Sequence, residues 1–269
     1  MSLNSLTEPV ATGHTAEIYR WEEQTVLKLF RNRYQRREVE HEARMARTVH
    51  NTGLPTPAVI GEIVEIDSRY GIVYERVNGV SMLNTLTSRP WLVRKLARLL
   101  AELQATIHGM LGVPGLPSQH EKLSKKIHET ALLPADLRAV VLRLLAELPE
   151  GNRLCHGDFH PDNVLLTPAG ATLIDWIDVT IGNPLGDVAR SALLMNHGQP
   201  PEDTRYRWVL NQFRSWFTHT YLSHYRQLCP GGEETLVPWR IVNAAARLSE
   251  GIPEAQALLA FVKAEIEAR

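Results

Sequence analysis

Cysteine is nearly absent. Cys155 and Cys229 are the only two in 269 residues, too few for a disulfide framework and not spaced as a zinc knuckle. A reducing compartment is the simpler reading. Charge of one sign is lacking as well, since 29 Lys and Arg stand against 30 Asp and Glu for a formal net charge of -1. No global field draws the chain to nucleic acid or to an anionic membrane. Long apolar runs are missing too: the most leucine-rich window, Leu92 to Leu103, is broken by Arg94, Lys95, Arg98 and Glu102. Met1 to Thr15 carries neither a basic region nor an apolar stretch, so neither secretion nor membrane insertion is signalled and a cytoplasmic location is expected.

What is present suits a folded globular chain. Hydrophobic residues make up 44% and charged residues 22%, enough for a substantial core. The first third reads as strands interrupted by one helix. Ala16 to Trp21 and Gln24 to Phe30 are β-prone runs separated by Glu22 and Glu23, the pattern of a tight hairpin. Strand alternation puts Val26, Lys28 and Phe30 on one face and Leu27 and Leu29 on the other. Tyr34 to His50 carries helical periodicity, with Val39, Ala43, Ala46 and Val49 on an apolar face, Glu42 among them and Glu38 at its margin. Two more β-prone runs, Ala58 to Ile66 and Gly71 to Val77, surround a turn. Together these predict a five-stranded antiparallel sheet with one helix packed on it.

Asn78-Gly79 is a turn signal and marks a joint, giving expected domains 1–77 and 78–269. Helices dominate beyond it, the first expected from a Ser88 cap to His108 and others near 135–148, 187–196, 206–224, 238–250 and 253–268. A short β-prone insert, Arg153 to Cys155, Val164 to Thr167 and Ala171 to Ile174, sits among them. Leu111 to Pro134 reads as a connection.

The chemistry concentrates between Cys155 and Asp175. A polar loop, His156 to Asn163, precedes a hairpin, and a second carboxylate, Asp175, emerges at the end of its last strand. That geometry can bring Asp158, Asn163 and Asp175 to one point. Oxygen donors of this kind suit Mg²⁺, which takes few protein ligands alongside phosphate oxygens and water. With one carboxylate left to orient a hydroxyl, this is the equipment of phosphoryl transfer.

Here the chain resembles a known family. His156-Gly157-Asp158, Asn163 five residues on, Asp175-Trp176 and Gly182 to Arg190 are similar to the catalytic loop and metal-binding segment of the aminoglycoside phosphotransferase and choline kinase superfamily. These are small-molecule kinases with a bilobal protein-kinase-like α+β fold. The strand Val26 to Phe30 and Glu42, fifteen residues before Pro57, extend the likeness upstream. The resemblance implies that Asp158 orients the substrate hydroxyl and that Asn163 and Asp175 hold Mg²⁺ on the phosphates of ATP. It implies that Lys28, ion-paired with Glu42, contacts the α- and β-phosphates beneath a loop containing Gly13, His14 and Thr15. By the same likeness the Glu75 carbonyl and Val77 amide meet adenine, and Asp187 braces the catalytic loop with His156 in a structural role. The acceptor implied is a hydroxyl of a small molecule, such as an antibiotic, an amino alcohol or a sugar. Trp176 and Ile177 stand where protein kinases carry Phe and Gly, which favours a small acceptor over a protein.

Other readings of the same residues stay open. Glu38 is the fallback partner for Lys28, and Asp187 with Arg190 three residues on could form a local ion pair. His156 and His160, alternating with Asp158 and Asp162, could belong to a metal-dependent hydrolase, though that reading leaves Lys28, Glu42 and Asp187 unexplained. A catalytically silent nucleotide-binding protein is the third possibility. From Asn196 onward eight acidic residues face eight basic ones, which weighs against a polycationic acceptor.

Overall fold

The computed structural model describes residues 8–13, 15–197 and 207–269. Its first part runs β1 (Ala11–Thr12), β2 (Ala16–Glu22), β3 (Thr25–Phe30), α1 (Arg36–His50), β4 (Val59–Ile66), β5 (Arg69–Glu75), β6 (Val80–Ser81) and α2 (Met82–Ser88). The middle holds α3 (Val93–Gly109), α4 (Gln119–Glu129), α5 (Ala135–Glu147), β7 (Arg153–Cys155), β8 (Val164–Thr167), β9 (Gly170–Leu173) and β10 (Thr180–Gly182). Helices α6 (Pro184–His197), α7 (Arg207–Leu228), α8 (Leu236–Arg247) and α9 (Ala255–Glu267) complete the chain.

The chain forms two compact units, one of residues up to Asn84 with Asp162–Ile177, the other of Thr85–Pro161 with Asp178–Arg269. A single cut at Val77 therefore does not describe them. The hairpin β8–β9 pairs with β6, and Leu173 donates its amide to Pro55 O at 2.8 Å, so this later segment is built into the first unit.

In that unit the sheet order is β1-β2-β3-β5-β4, antiparallel throughout. The expected five-stranded sheet with a helix packed on it is there, its fifth strand being β1 at Ala11–Thr12, outside the four runs read from the sequence. Period-two alternation sends Leu27 and Leu29 into a cluster with Tyr19, Ile66 and Val73, and sends Phe30 to the other face with Ala16, Ile72 and the α1 residues Val39 and Ala43. Each fully buried aliphatic side chain contributes about 1.5–3 kcal/mol, so the two clusters clamp β3 from both sides. Lys28 shares the Phe30 face and is thereby aimed at α1. Asp67 and Ser68 both have positive φ, 45° and 63°, the two-residue reversal that matches strand twist in a hairpin. Helix α1 begins at Arg36 because Gln35 caps it, donating its amide to the Glu38 carboxylate at 2.8 Å. Glu38 is thus spent at the helix start and does not partner Lys28.

The second unit is mainly helical, with Trp239, Tyr221 and Tyr225 fully buried. Two expectations fail in it. Ser88 closes α2, its hydroxyl donating to Thr85 O at 3.2 Å, and Pro90–Leu92 form a 3₁₀ turn before α3 starts at Val93. The 111–134 connection contains α4, capped by Ser118, whose side chain accepts from Glu121 N. Strand β7 pairs with β10, and β8 with β9. No helix among the described residues is long and apolar enough to cross a membrane.

Candidate active site

Two sets of candidate side chains emerge, one on each unit. In the first, the Lys28 ammonium lies 2.7 Å from Glu42 Oε1 and 3.0 Å from Asp175 Oδ1. Tyr74 adds a hydroxyl donor to Glu42 at 3.4 Å. Burial by itself would lower the Lys28 pKa, but the charges of Asp175 and Glu42 outweigh it and hold the pKa above the ordinary lysine value. Lys28 is therefore a fixed positive charge at any physiological pH.

Asp175 reaches Lys28 because of the hairpin that precedes it. Val164 and Leu173 are register partners, and Ile174 donates its amide to Asn163 O at 3.0 Å, so Asn163 and Asp175 leave from the same open end of β8–β9. Asp175 has φ 65°, a left-handed backbone that Asp tolerates better than most residues. Trp176 anchors the backbone just beyond it, buried, with its indole N–H on Leu173 O at 3.3 Å. An amide oxygen and a carboxylate at one hairpin end are hard donors that fit Mg²⁺.

Gly13 and Thr15 lie in the turn between β1 and β2; His14 falls outside the described residues. Gly13 donates to Ala16 O at 2.9 Å, while Arg31 holds the turn through Gly13 O and Thr15 O, both at 3.0 Å. Glu75 ends β5 with its amide on Ala58 O at 2.9 Å, and Val77 accepts from Gly79 N at 3.0 Å.

In the second unit the loop after β7 is gripped by α6. Asn183 starts that helix by accepting from Leu185 N at 2.9 Å, and Pro184 fits its first turn. This sets Asp187 under the loop, where its carboxylate accepts from Gly157 N at 2.7 Å, His156 N at 3.1 Å and Gln104 Nε2 at 2.9 Å, with His108 Nε2 3.1 Å away. Burial would raise the Asp187 pKa, but His108, Gln104 and His156 lower it, and it stays ionised. Three residues on, Arg190 donates from Nε to Gly157 O at 3.2 Å. Asp187 and Arg190 thus hold the loop by its amides and its carbonyl, and the local ion pair is not what they form.

Asp158 follows directly. Its amide donates to His156 Nδ1 at 3.3 Å, one carboxylate oxygen lies 3.5 Å from His160 Nε2, and the other lies 3.9 Å from Arg190 Nη2. Burial pushes its pKa up, but the His160 hydrogen bond and the His160 and Arg190 charges bring it down to about 2. His156 itself is fully buried, its ring against Phe159.

Gly157 makes this path possible. It has φ 80°, and a Cβ there would lie 2.8 Å from Asp178 C and closer still to Asp178 O. Gly157→Ala is expected to cost ~2 kcal/mol or more and to displace Asp158. Gly112→Ala, with φ 56° but nothing within 4 Å, isolates the backbone cost alone. Thermal unfolding of both variants checks this, and equal losses would remove the steric argument.

Among the described residues one group of three meets the spacing of metal ligands: His108, Cys155 and Asp187. Burial and the nearby Asp187 charge push the Cys155 thiol well up, so it remains protonated and a poor ligand. His160 is outside that group. Arg190, Asp178 and Tyr74 carried no functional reading in the sequence; Asp178 could have been flagged as a second acid three residues after Asp175.

The fold matches solved small-molecule kinases. An amicoumacin kinase in complex with AMP-PNP, Ca²⁺ and Ami superposes with a TM-score of 0.63 at 16% identity, covering 100% of this chain and 89% of that one. An aminoglycoside-3'-phosphotransferase of type VIII gives 0.64 at 21% identity over 90% and 92% of the two chains. A choline/ethanolamine kinase family protein from Mesorhizobium loti gives 0.60 at 17% over 98% and 90%. In sequence, the mouse (Mus musculus) acyl-CoA dehydrogenase family member 10 is 29% identical over 178 residues, 58% of this chain but only 16% of that much longer protein. A model of the phosphotransferase enzyme family matches residues 7–228, more than half of the sequence, and the chain belongs to that family.

Proposed function

We propose that the protein is an ATP- and Mg²⁺-dependent phosphotransferase that moves the γ-phosphoryl group of ATP to a hydroxyl of a small molecule. The observation that carries this is the double engagement of Lys28 with Glu42 and Asp175. A permanently charged lysine on a sheet, steadied by a helix carboxylate and adjoining a metal-type Asp, suits polyphosphate and has little use in a hydrolase. The small acceptor is inferred from the relatives of like fold, whose substrates include amicoumacin. Both cysteines are free, which agrees with a reducing, cytoplasmic setting.

The residues divide the work. Asn163 and Asp175 would hold Mg²⁺, which supplies charge neutralisation on the phosphates when bound. Lys28 would meet the α- and β-phosphates, Gly13 and Thr15 would lie over them, and Glu75 and Val77 would meet adenine through the backbone. Asp158 takes the acceptor hydroxyl as a hydrogen-bond partner and aims its oxygen at the phosphorus. A carboxylate with a pKa of about 2 is a weak base, so its contribution is orientation and electrostatics. That suffices, because the transition state is loose and needs little proton removal before the bond to the leaving oxygen stretches. Asp187, His156 and Arg190 keep the loop rigid while this happens.

Ligand-dependent unfolding tests the reading. ATP at ~100 times its dissociation constant is expected to stabilise the protein by about 2.7 kcal/mol with Mg²⁺ and far less without it. Zinc-dependent stabilisation with no nucleotide effect would reject it.

A further inference from the structure

We propose that Glu250 is a positioning residue for phosphoryl transfer: it draws the Arg190 guanidinium aside, so that Asp158 meets the acceptor hydroxyl instead of closing an ion pair with Arg190. This rests on the phosphotransferase reading and adds a residue to the machinery of that same site. All the groups concerned belong to the second unit.

Arg190 needs a carboxylate. Its side chain is 8% exposed, too little for water to solvate a guanidinium, and a buried charge is stable only where it is paired. It donates from Nε to Gly157 O at 3.2 Å, which fixes the planar fork beside the catalytic loop. Two acids then share Nη2 unequally, Glu250 Oε1 at 2.8 Å and Asp158 Oδ1 at 3.9 Å. The first distance is that of a charge-assisted hydrogen bond, and the second is too long for one. Burial by itself would lower the Arg190 pKa, but Glu250 foremost, then Asp158 and Asp178, raise it. Asp178 is claimed by Lys122 at 2.7 Å and Lys126 at 3.5 Å. With Glu250 neutral, Asp158 is the next carboxylate in line, and about 1 Å of movement completes an ion pair of about 2.8 Å.

Local structure holds Glu250 in place. The 3₁₀ turn Leu248–Glu250 continues α8, with Leu248 buried and the Ser249 hydroxyl on Ala246 O at 2.8 Å, and Gly251 ends it in the left-handed region at φ 65°. Glu250 Oε1 also accepts from Lys126 of α4 at 3.0 Å. Its Oε2 accepts from Arg247 at 3.1 Å, and Arg247 is held in turn by Glu254 at 2.7 Å. Donors from α4, α6 and α8 thus fix both oxygens of one carboxylate. The consequence falls on Asp158, whose other oxygen, Oδ2, is already 3.5 Å from His160 Nε2. An ion pair at Oδ1 would leave the acceptor hydroxyl a guanidinium to displace.

The test compares wild type, Glu250→Gln and, as a control, Glu254→Gln, which alters an equally enclosed carboxylate of the same network that pairs with Arg247. Glutamine keeps the shape of Glu250, but one neutral amide oxygen cannot hold three cations. Water stands in for the acceptor: release of inorganic phosphate from MgATP is followed, alongside crystal structures of the three proteins. Glu250→Gln is expected to bring Arg190 Nη2 to about 2.8 Å from Asp158 and to lower kcat about tenfold or more, with the KM for MgATP within about twofold. Glu254→Gln is expected to change neither distance nor rate. A merely structural role would disturb both variants alike and move KM together with kcat. Arg190 staying near 3.9 Å in Glu250→Gln, an unchanged kcat, or an equal loss in Glu254→Gln overturns the proposal. Should Glu250→Gln not fold, Glu250→Gln/Arg190→Gln carries the test, because it strands no guanidinium. Nothing is left there to close on Asp158, and Asp187 still holds the loop amides, so kcat is expected within about tenfold of wild type; a deeper loss overturns the proposal. Where phosphate release is too slow to follow, the Arg190 to Asp158 distance decides. A wild type that is not stabilised by MgATP and releases no phosphate fails the phosphotransferase reading; a wild type that does both, matched by Glu250→Gln, fails this proposal alone.

Discussion

Asp158→Asn is expected to reduce phosphoryl transfer by about 10³-fold or more while leaving MgATP affinity within about twofold of wild type. The substitution keeps the shape of the side chain and the backbone contact of residue 158 with His156, and it leaves Lys28, Asn163 and Asp175 intact. Only the charge and one acceptor oxygen disappear. The same change has a stability signature. In the folded state the Asp158 carboxyl has a pKa of about 2 against an ordinary aspartate value of 3.8, so its ionised form stabilises the fold above pH ~4, and this is lost as pH falls toward 2. The difference corresponds to at most ~2 kcal/mol. Asp158→Asn should therefore unfold at a lower temperature than wild type at pH 7, and the gap should close between pH 4 and pH 2. Activity comparable to wild type rejects the assigned role. Nucleotide binding lost together with activity would show a collapsed loop instead.

Lys28→Met is expected to destabilise the protein by about 3 kcal/mol and to abolish tight MgATP binding. The methionine fits the space of the lysine stem, but it strands Glu42, whose side chain is 4% exposed, as a buried carboxylate with only the Tyr74 hydroxyl beside it. Asp175, at 34% exposure, can still turn to water. Removing one partner of a buried pair costs more than removing both, so Lys28→Met/Glu42→Gln should recover a good part of the lost stability. It should not recover nucleotide affinity, because the charge that met the phosphates is gone. Denaturant unfolding of the two single variants and the double variant checks the coupling. Additive effects would mean that the pair is not energetically linked, and a loss below ~1 kcal/mol for Lys28→Met would mean that the buried charge is solvated in some other way.

Much of this arrangement is legible in the sequence. Lys28 and Glu42 can be paired because two local periodicities, two for the strand and 3.6 for the helix, each aim a charged residue at an apolar face. The loop from His156 to Asn163 and the hairpin after it are legible because turn residues and β-prone runs alternate over a short span. Helix α4 is not, since Leu123 and Ile127 are its only buried apolar residues and an amphipathic pattern is faint with two marks. Its capping pair, Ser118 and Glu121, is the signal that could have found it. The partnership of β7 with β10 joins Cys155 to Thr180 across the whole catalytic segment, a pairing that no local pattern encodes. Arg190 illustrates the same difficulty: three residues from Asp187 on a helix, it looks locally matched, and only tertiary packing shows that Glu250, sixty residues later, is its 2.8 Å partner.

The hairpin that belongs to the first unit but lies late in the chain has a consequence for synthesis. The backbone passes from one unit to the other three times, after Asn84, Pro161 and Ile177. A ribosome releasing the first 84 residues has delivered β6 without its neighbour β8 and Lys28 without Asp175. The earlier unit cannot close until the chain is drawn out past Ile177, by which point most of the loop gripped by Asp187 has emerged without its clamp. Neither unit is therefore a contiguous fragment that can be excised, and the first can close once Ile177 has emerged while the second waits for the segment through Arg269.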